Sequence, residues 1–256
     1  MGKIIAVANQ KGGVGKTTTC VSVASSIAAL GKRVLLVDLD PQGNASSGLG
    51  AKLGQNCVYE AMMGQISLGD VISDTPMKGL SIIPSDIRLA GAEVELVSSK
   101  KREFILRGLL APIAADYDYI FIDCQPSLGI LTINALTAAR SVLVPIQCEY
   151  YALEGVTSLM NTINRVKRSL NPLLELEGVV MTMYDSRTNL SAQVVSQVRK
   201  HFREKVFDSV IPRNVRLSES PSHGLPICLY DKNSSGALAY SALASEILKR
   251  NGQGSV

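Results

Sequence analysis

Tryptophan is absent from the 256 residues, and aromatic residues together make up only 5%. The 46% apolar share therefore rests mostly on Val, Ile, Leu and Ala, a composition suited to buried parallel strands covered by helices. No apolar run reaches membrane-spanning length, which excludes a transmembrane anchor. The first apolar run reads as a strand rather than a secretory signal. No C-x-x-C occurs, and the cysteines (Cys20, Cys57, Cys124, Cys148, Cys228) are scattered and odd in number. They read as buried thiols of a reducing cytoplasm, not as a disulfide framework or a metal site. With only His201 and His223, far apart in sequence, neither a zinc centre nor a Ser-His-Asp hydrolase has support. Linkers, internal repeats and low-complexity tracts are also missing. The chain is expected to form one domain over residues 1–250, with a disordered tail at 251–256.

The charge is placed unevenly. Residues 1–128 balance at 12 basic and 12 acidic side chains, whereas residues 129–256 hold 14 basic and 10 acidic, which is the whole net +4. Residues 185–216 alone carry seven basic side chains (Arg187, Arg199, Lys200, Arg203, Lys205, Arg213, Arg216) against three acidic ones. Such a cluster is either a solvated face or an electrostatic footprint for a polyanion.

Apolar strand-like runs at Ile4–Ala8, Val34–Val37, Leu80–Ile83, Tyr119–Ile122, Val142–Ile146, Gly178–Met183 and Val206–Ile211 alternate with helix-like segments. The latter span 16–30, 89–97, 102–115, 128–139, 153–170, 190–204 and 235–250, with Pro112 placed to kink the third. This alternation predicts an α/β fold, a mostly parallel twisted sheet flanked by helices on both faces.

Into that frame falls Gln10-Lys11-Gly12-Gly13-Val14-Gly15-Lys16-Thr17-Thr18-Thr19, directly after the first strand. A glycine-rich loop between a strand and a helix turns backbone N–H groups inward and cradles phosphate oxygens. Lys16 supplies a charge for the terminal phosphates, and the Thr17 hydroxyl can reach a magnesium ion. The second strand ends in Asp38 and Asp40, at the end of a parallel sheet where ligands bind. A carboxylate facing a triphosphate needs a cation or a water between them, so these two point to magnesium and an attacking water. Asp-Pro-Gln-Gly-Asn is also good turn sequence. Tyr119–Ile122 followed by Asp123 has the form of a Walker B strand, whose aspartate holds magnesium.

The loop departs from the usual G-x-x-x-x-G-K-[ST], since Gln10 stands where the first glycine belongs and Lys11 sits just inside. In this it resembles the deviant Walker A motif of the ParA/MinD ATPases. Further blocks at Asp38–Asn44, Asp123–Ser127, Leu131–Ala135, Gln147–Gly155, Asp185–Leu190 and Ile211–Gly224 resemble the Soj/ParA partition branch in order and spacing. Pro212-Arg213-Asn214-Val215-Arg216-Leu217-Ser218-Glu219 is especially typical of that branch. The resemblance implies a single-domain P-loop ATPase using ATP and Mg2+, which makes Lys11, Lys16 and Asp40 catalytic. Lys11, Gly12, Gly13, Val14, Gly15, Lys16, Thr17 and Thr18 would then cradle the nucleotide, with Pro212 and Asn214 at the adenine. Thr17, Asp38 and Asp123 would hold the metal, and Asp40 would position the water. It further implies an ATP-dependent homodimer in which Lys11 of each subunit reaches the other's phosphates. That dimer would bind duplex DNA without sequence preference, and a ParB/Spo0J-type partner would stimulate hydrolysis and release. The place implied is the cytoplasm, on the nucleoid. Arg187 and Arg216, in matched motifs, and Lys200 and Arg203, by charge and position, are the expected DNA contacts. No helix-turn-helix block precedes the first strand, so such contacts must come from the ATPase fold itself. One departure is Gln125, where the family usually has proline. It frees a backbone N–H and loosens the turn beside the γ-phosphate.

Two rivals use the same loop. A MinD-like membrane-associated regulator of cell division needs an amphipathic C-terminal helix, and the final helix-like segment lacks a large spare apolar face. A metabolic synthetase, or a nitrogenase-like iron protein, is the other. The iron protein needs paired cluster cysteines, and Cys124 has no convincing companion.

Overall fold

The computed structural model of the chain describes residues 2–51, 54, 56–150 and 152–252. Its strands are β1 (Lys3–Val7), β2 (Val34–Leu39), β3 (Ser73–Asp74), β4 (Leu80–Ile83), β5 (Tyr119–Cys124), β6 (Ser141–Gln147), β7 (Glu175–Tyr184) and β8 (Val206–Pro212). The α-helices are α1 (Lys16–Ala29), α2 (Asn44–Gly48), α3 (Val58–Met62), α4 (Leu89–Glu95), α5 (Ile105–Leu110) and α6 (Ile130–Ala138). They continue with α7 (Ala152–Ser169), α8 (Asn189–Phe202), α9 (Val215–Glu219), α10 (Ile227–Tyr230) and α11 (Ser235–Arg250). The strands form one sheet in the order β3-β4-β2-β5-β1-β6-β7-β8. Every neighbouring pair is parallel except β3–β4. The expected α/β architecture is the one observed.

β2 and β5 are buried at every residue, as strands covered on both faces must be. Their side chains alternate between two cores. Leu35, Val37, Ile120 and Ile122 face a layer built from α3 to α8. Leu36, Tyr119 and Phe121 face a layer built from α1, α2, α9, α10 and α11.

Several expectations need correction. The helix expected over 102–115 is a 3-10 turn at 102–104 followed by α5, which stops at Leu110. Pro112 has no N–H for a helical bond, so the hydrogen-bond ladder is interrupted there although Ala111 keeps helical dihedrals. The edge strand β3 and the short helices α2, α3, α9 and α10 were not anticipated. None exceeds five residues, too short to display a period. Asn251, placed by sequence at the head of a frayed tail, donates to Glu177 at 2.9 Å and accepts from Lys3 Nζ at 2.5 Å. The remainder of that tail, 253–256, lies outside the described residues.

Candidate functional site

Sheet register assembles the site. β5 pairs with β1 on one side and β2 on the other, so Asp123 lies level with Val7 and with Asp38. The loop leaving β1, the Walker B aspartate and the end of β2 therefore meet at one edge. Gly13 and Gly15 take φ of 75° and 86°, a left-handed backbone that favours glycine. Among the described residues, no acceptor takes the N–H groups of Gly12, Gly13, Val14 or Gly15. That leaves a cradle of donors at the start of α1. The loop is braced from behind, where Thr182 Oγ1 donates to Val14 O at 2.9 Å and Asn9 Nδ2 to Pro145 O at 2.7 Å. Gly12 has an ordinary φ, and a Cβ there would meet nothing, so only something outside the chain could require its smallness.

Lys16 is buried, and its Nζ donates back to Lys11 O at 3.1 Å. Burial lowers its pKa, opposed by the charges of Asp123 and Asp40. Asp123 is fully buried, and neither carboxylate oxygen has a hydrogen-bond partner of ordinary geometry among the described residues. Burial pushes its pKa well up and the neighbouring Asp38 adds to this, while the facing Thr17 hydroxyl tempers it. Two orphaned carboxylate oxygens beside a threonine hydroxyl are a donor set fit for a hard cation such as magnesium. Asp38 is placed differently. Its oxygens accept from Ser46 N at 2.8 Å, Ser46 Oγ at 2.6 Å and Asp40 N at 3.2 Å, which leaves it the least capacity to spare. Burial raises its pKa to about 6 against those hydrogen bonds. Asp40 Oδ1 accepts from Gln42 N at 2.9 Å. Ser46, which fastens Asp38 to α2, carried no sequence signal.

Beside the loop, Gly15 and Thr18 share a cavity of 240 Å³ with Met183, Pro212, Asn214 and Tyr240. Pro212 and Asn214, expected at the adenine, thus lie next to the phosphate cradle. Asn214 caps α9 by accepting from Arg216 N at 2.8 Å, and its amide donates to Ser235 Oγ at 2.7 Å. Met183 was missed. Between Met181 and Tyr184, β7 runs three steps against two on β8, and this bulge puts Met183 at φ 53°.

Lys11 stands at the rim, and its Nζ pairs with Glu149 Oε1, both side chains being about a third exposed. Glu149 lies in the matched block Gln147–Gly155, but nothing in sequence announced the pairing; Tyr151 of that block lies outside the described residues. The four expected DNA contacts do not form one patch. Arg187 follows β7 and Arg216 follows β8, and these strands end level, Tyr184 against Pro212. Lys200 lies in the last turn of α8 and Arg203 just past it, about 20 Å from its first turn along a helix of that length. Arg187 is held by Asp185 at 2.7 Å, and Arg216 by Glu219 at 2.8 Å.

Cys20, Cys57, Cys124 and Cys148 are buried free thiols, and Cys228 is partly buried. No group of three His, Cys, Asp or Glu able to hold a metal occurs among the described residues. None of their helices is long and apolar enough to cross a membrane.

Residues 2–176 match the family model described as "AAA domain". The chain is 57% identical to the sporulation initiation inhibitor protein Soj of Bacillus subtilis, over 96% of this chain and 98% of that protein. It is 52% identical to the chromosome-partitioning ATPase Soj of Treponema pallidum, over 99% of this chain and all of that one. Among solved structures, cobyrinic acid a,c-diamide synthase from Mycobacterium smegmatis, with bound ATP analogue and magnesium, superposes with a TM-score of 0.87. It is 39% identical, with 100% of this chain and 98% of that one covered. The septum site-determining protein MinD from Pyrococcus horikoshii, complexed with Mg-ADP, shares the fold with a TM-score of 0.83 at 24% identity, over 100% and 99% of the two chains.

Proposed function

This chain belongs to the ParA/Soj family of partition ATPases, and from that premise we propose that it is an ATP-hydrolysing switch for segregating DNA. In this reading two ATP-loaded subunits join face to face, bind duplex DNA without sequence preference, and part when a ParB/Spo0J-type protein stimulates hydrolysis. The observation that carries the reading is the meeting of a donor cradle, Lys16 and an orphaned Asp123 at one sheet edge, with a second lysine at the rim.

The chemistry follows from charge. A nucleoside triphosphate carries about four negative charges, which the fold meets with N–H donors and Lys16. Thr17 and Asp123 would hold magnesium, with Asp38 braced behind them; the ion, once bound, neutralises charge on the phosphate oxygens. Asp40 is at the end of β2, 8% exposed, with one oxygen given to Gln42 N and the other available to orient a water. Pro212 and Asn214 would flank the adenine. Charge that develops during transfer calls for one more cation, and Lys11 is the candidate, offered to the partner's γ-phosphate. Its pairing with Glu149 is about a third exposed, and pairs open to solvent contribute at most about 1 kcal/mol, so a phosphate can displace it. Arg187 and Arg216, then Lys200 and Arg203, would meet the DNA backbone, and the protein would then work in the cytoplasm on the nucleoid.

Support against a membrane role comes from α11. Six of its apolar residues, Ala237, Tyr240, Leu243, Ala244, Ile247 and Leu248, are buried in the core and not free for lipid, which leaves Leu238 as its one exposed large apolar side chain. A metabolic reading is favoured by one observation, the similarity to a protein named as a synthase, at lower identity than to the Soj proteins.

The test is ATP turnover with and without duplex DNA and a ParB-type partner, beside Lys16→Ala and Asp40→Ala. Turnover should rise at least tenfold with both added. Lys16→Ala should lose nucleotide binding, and Asp40→Ala should keep ATP and stay on DNA. Turnover that ignores both additions and answers to a small molecule would replace this reading with the metabolic one.

A further inference from the structure

Between the Walker B aspartate and α6 the chain passes through Cys124, Gln125, Pro126, Ser127, Leu128 and Gly129. Gln125 Nε2 donates to Glu93 Oε1 on α4 at 2.9 Å. The same Glu93 oxygen lies so close to Gly129 that a Cβ there would collide with it. Gly129 has φ −74°, open to any residue, so a side chain there would displace the Glu93 carboxylate rather than strain the backbone. Within the loop, Thr132 Oγ1 donates to Ser127 O at 2.6 Å. One carboxylate from α4 thus holds the segment by a hydrogen bond at Gln125, two residues beyond Asp123, and lies against its far end at Gly129.

We propose that Glu93 and Gln125 form a clamp that positions the 124–129 segment, and through it Asp123, for ATP hydrolysis. They are positioning residues; neither meets the nucleotide. A proline at 125 would stiffen this turn by itself, whereas glutamine leaves the backbone freer and supplies a side chain that fastens it to α4. The backbone of Asp123 is set by its ladder neighbours Val7 and Asp38, but its carboxylate has no hydrogen bond of ordinary geometry to fix it, so its aim also depends on how the chain just beyond it is held. A displacement of about 1 Å at a reacting centre lowers rate on the order of a hundredfold. A partial loosening should cost less.

The proposal rests on the ATPase reading, which wild-type turnover and its loss in Lys16→Ala establish separately. The experiment is steady-state hydrolysis in Glu93→Ala, Gln125→Ala, the double variant and Glu93→Gln, with melting midpoints taken alongside. Each alanine variant should lose about tenfold in kcat, raise the magnesium concentration for half activity, and leave KM for ATP within about twofold, because the phosphate cradle is untouched. The double variant should be no worse than either single one, since both remove the same bond. Glu93→Gln should keep kcat within about twofold, since an amide oxygen accepts the same hydrogen bond. Gln125→Glu sets carboxylate against carboxylate without removing atoms, and should reproduce the loss even if an alanine variant folds poorly. Unchanged kcat in the alanine variants and in Gln125→Glu would overturn the clamp. So would losses that multiply in the double variant, or a Glu93→Gln as impaired as Glu93→Ala.

Discussion

Asp38 and Asp123 lie side by side across the β2–β5 pairing, both buried and both with raised pKa values. Between pH 3.8 and about 6 the folded chain therefore keeps on Asp38 a proton that the unfolded chain has already released. Stability from this source is complete below the unfolded value and is lost as pH rises through the window from 3.8 to about 6. A cation at Asp123 removes the need for the proton. Magnesium with ADP should thus raise the melting midpoint more at about pH 7.5 than at about pH 5. One pKa unit is worth about 1.4 kcal/mol, or roughly 3–6 °C in a chain of this size. Differential scanning fluorimetry at the two pH values checks this; equal stabilisation at both would contradict it. At this scale the sequence was readable where a residue's placement follows from chain order. Lys16, Thr17 and Asp123 sit where strand–loop–helix logic puts them. Glu149 and Glu93 were not readable, because their partners Lys11 and Gln125 are 138 and 32 residues away and meet them only through folding.

Among the elements, long apolar runs read correctly and short ones did not. β5 could be recognised because four apolar residues precede its aspartate, whereas β3 has two residues and no pattern. β8 forms the other edge of the sheet, where unpaired backbone groups invite association. α11 answers this with Glu246, which accepts from Asp208 N at 2.9 Å, Ser209 N at 3.1 Å and Ser209 Oγ at 3.0 Å, and pairs with Arg250 at 2.8 Å. Glu246→Ala should cost about 2 kcal/mol, lowering the melting midpoint by roughly 4–8 °C with little effect on ATP affinity. A thermal scan within 1–2 °C of wild type, taken as about the measurement error, would show that the edge needs no such cap.

For the whole molecule, the decisive quantity is how charge adds when subunits join. The basic excess lies entirely in the second half of the chain, yet Arg187 and Arg216 are each already held by an acid. DNA phosphates must compete with those acids, so a single subunit should bind weakly. If each subunit meets about three phosphates, the log–log salt slope runs from about −3 for one subunit to about −5 for two. Fluorescence anisotropy of labelled duplex DNA, titrated with salt in ADP and in ATP, measures both slopes. Equal slopes and affinities would contradict a switch based on dimerisation. This doubling could not be seen in the charge count alone, which gives the net +4 but not which cations are already paired.

All of this depends on Lys11 leaving Glu149 for the phosphate of a second subunit. Sedimentation velocity of Asp40→Ala with magnesium and ATP, at about micromolar concentration, tests that step most directly. The expected result is a species of two 27.3 kDa chains with ATP, a single chain with ADP, and a single chain with ATP when Lys11→Ala is added. A single chain under all three conditions, or a dimer that persists without Lys11, would contradict it.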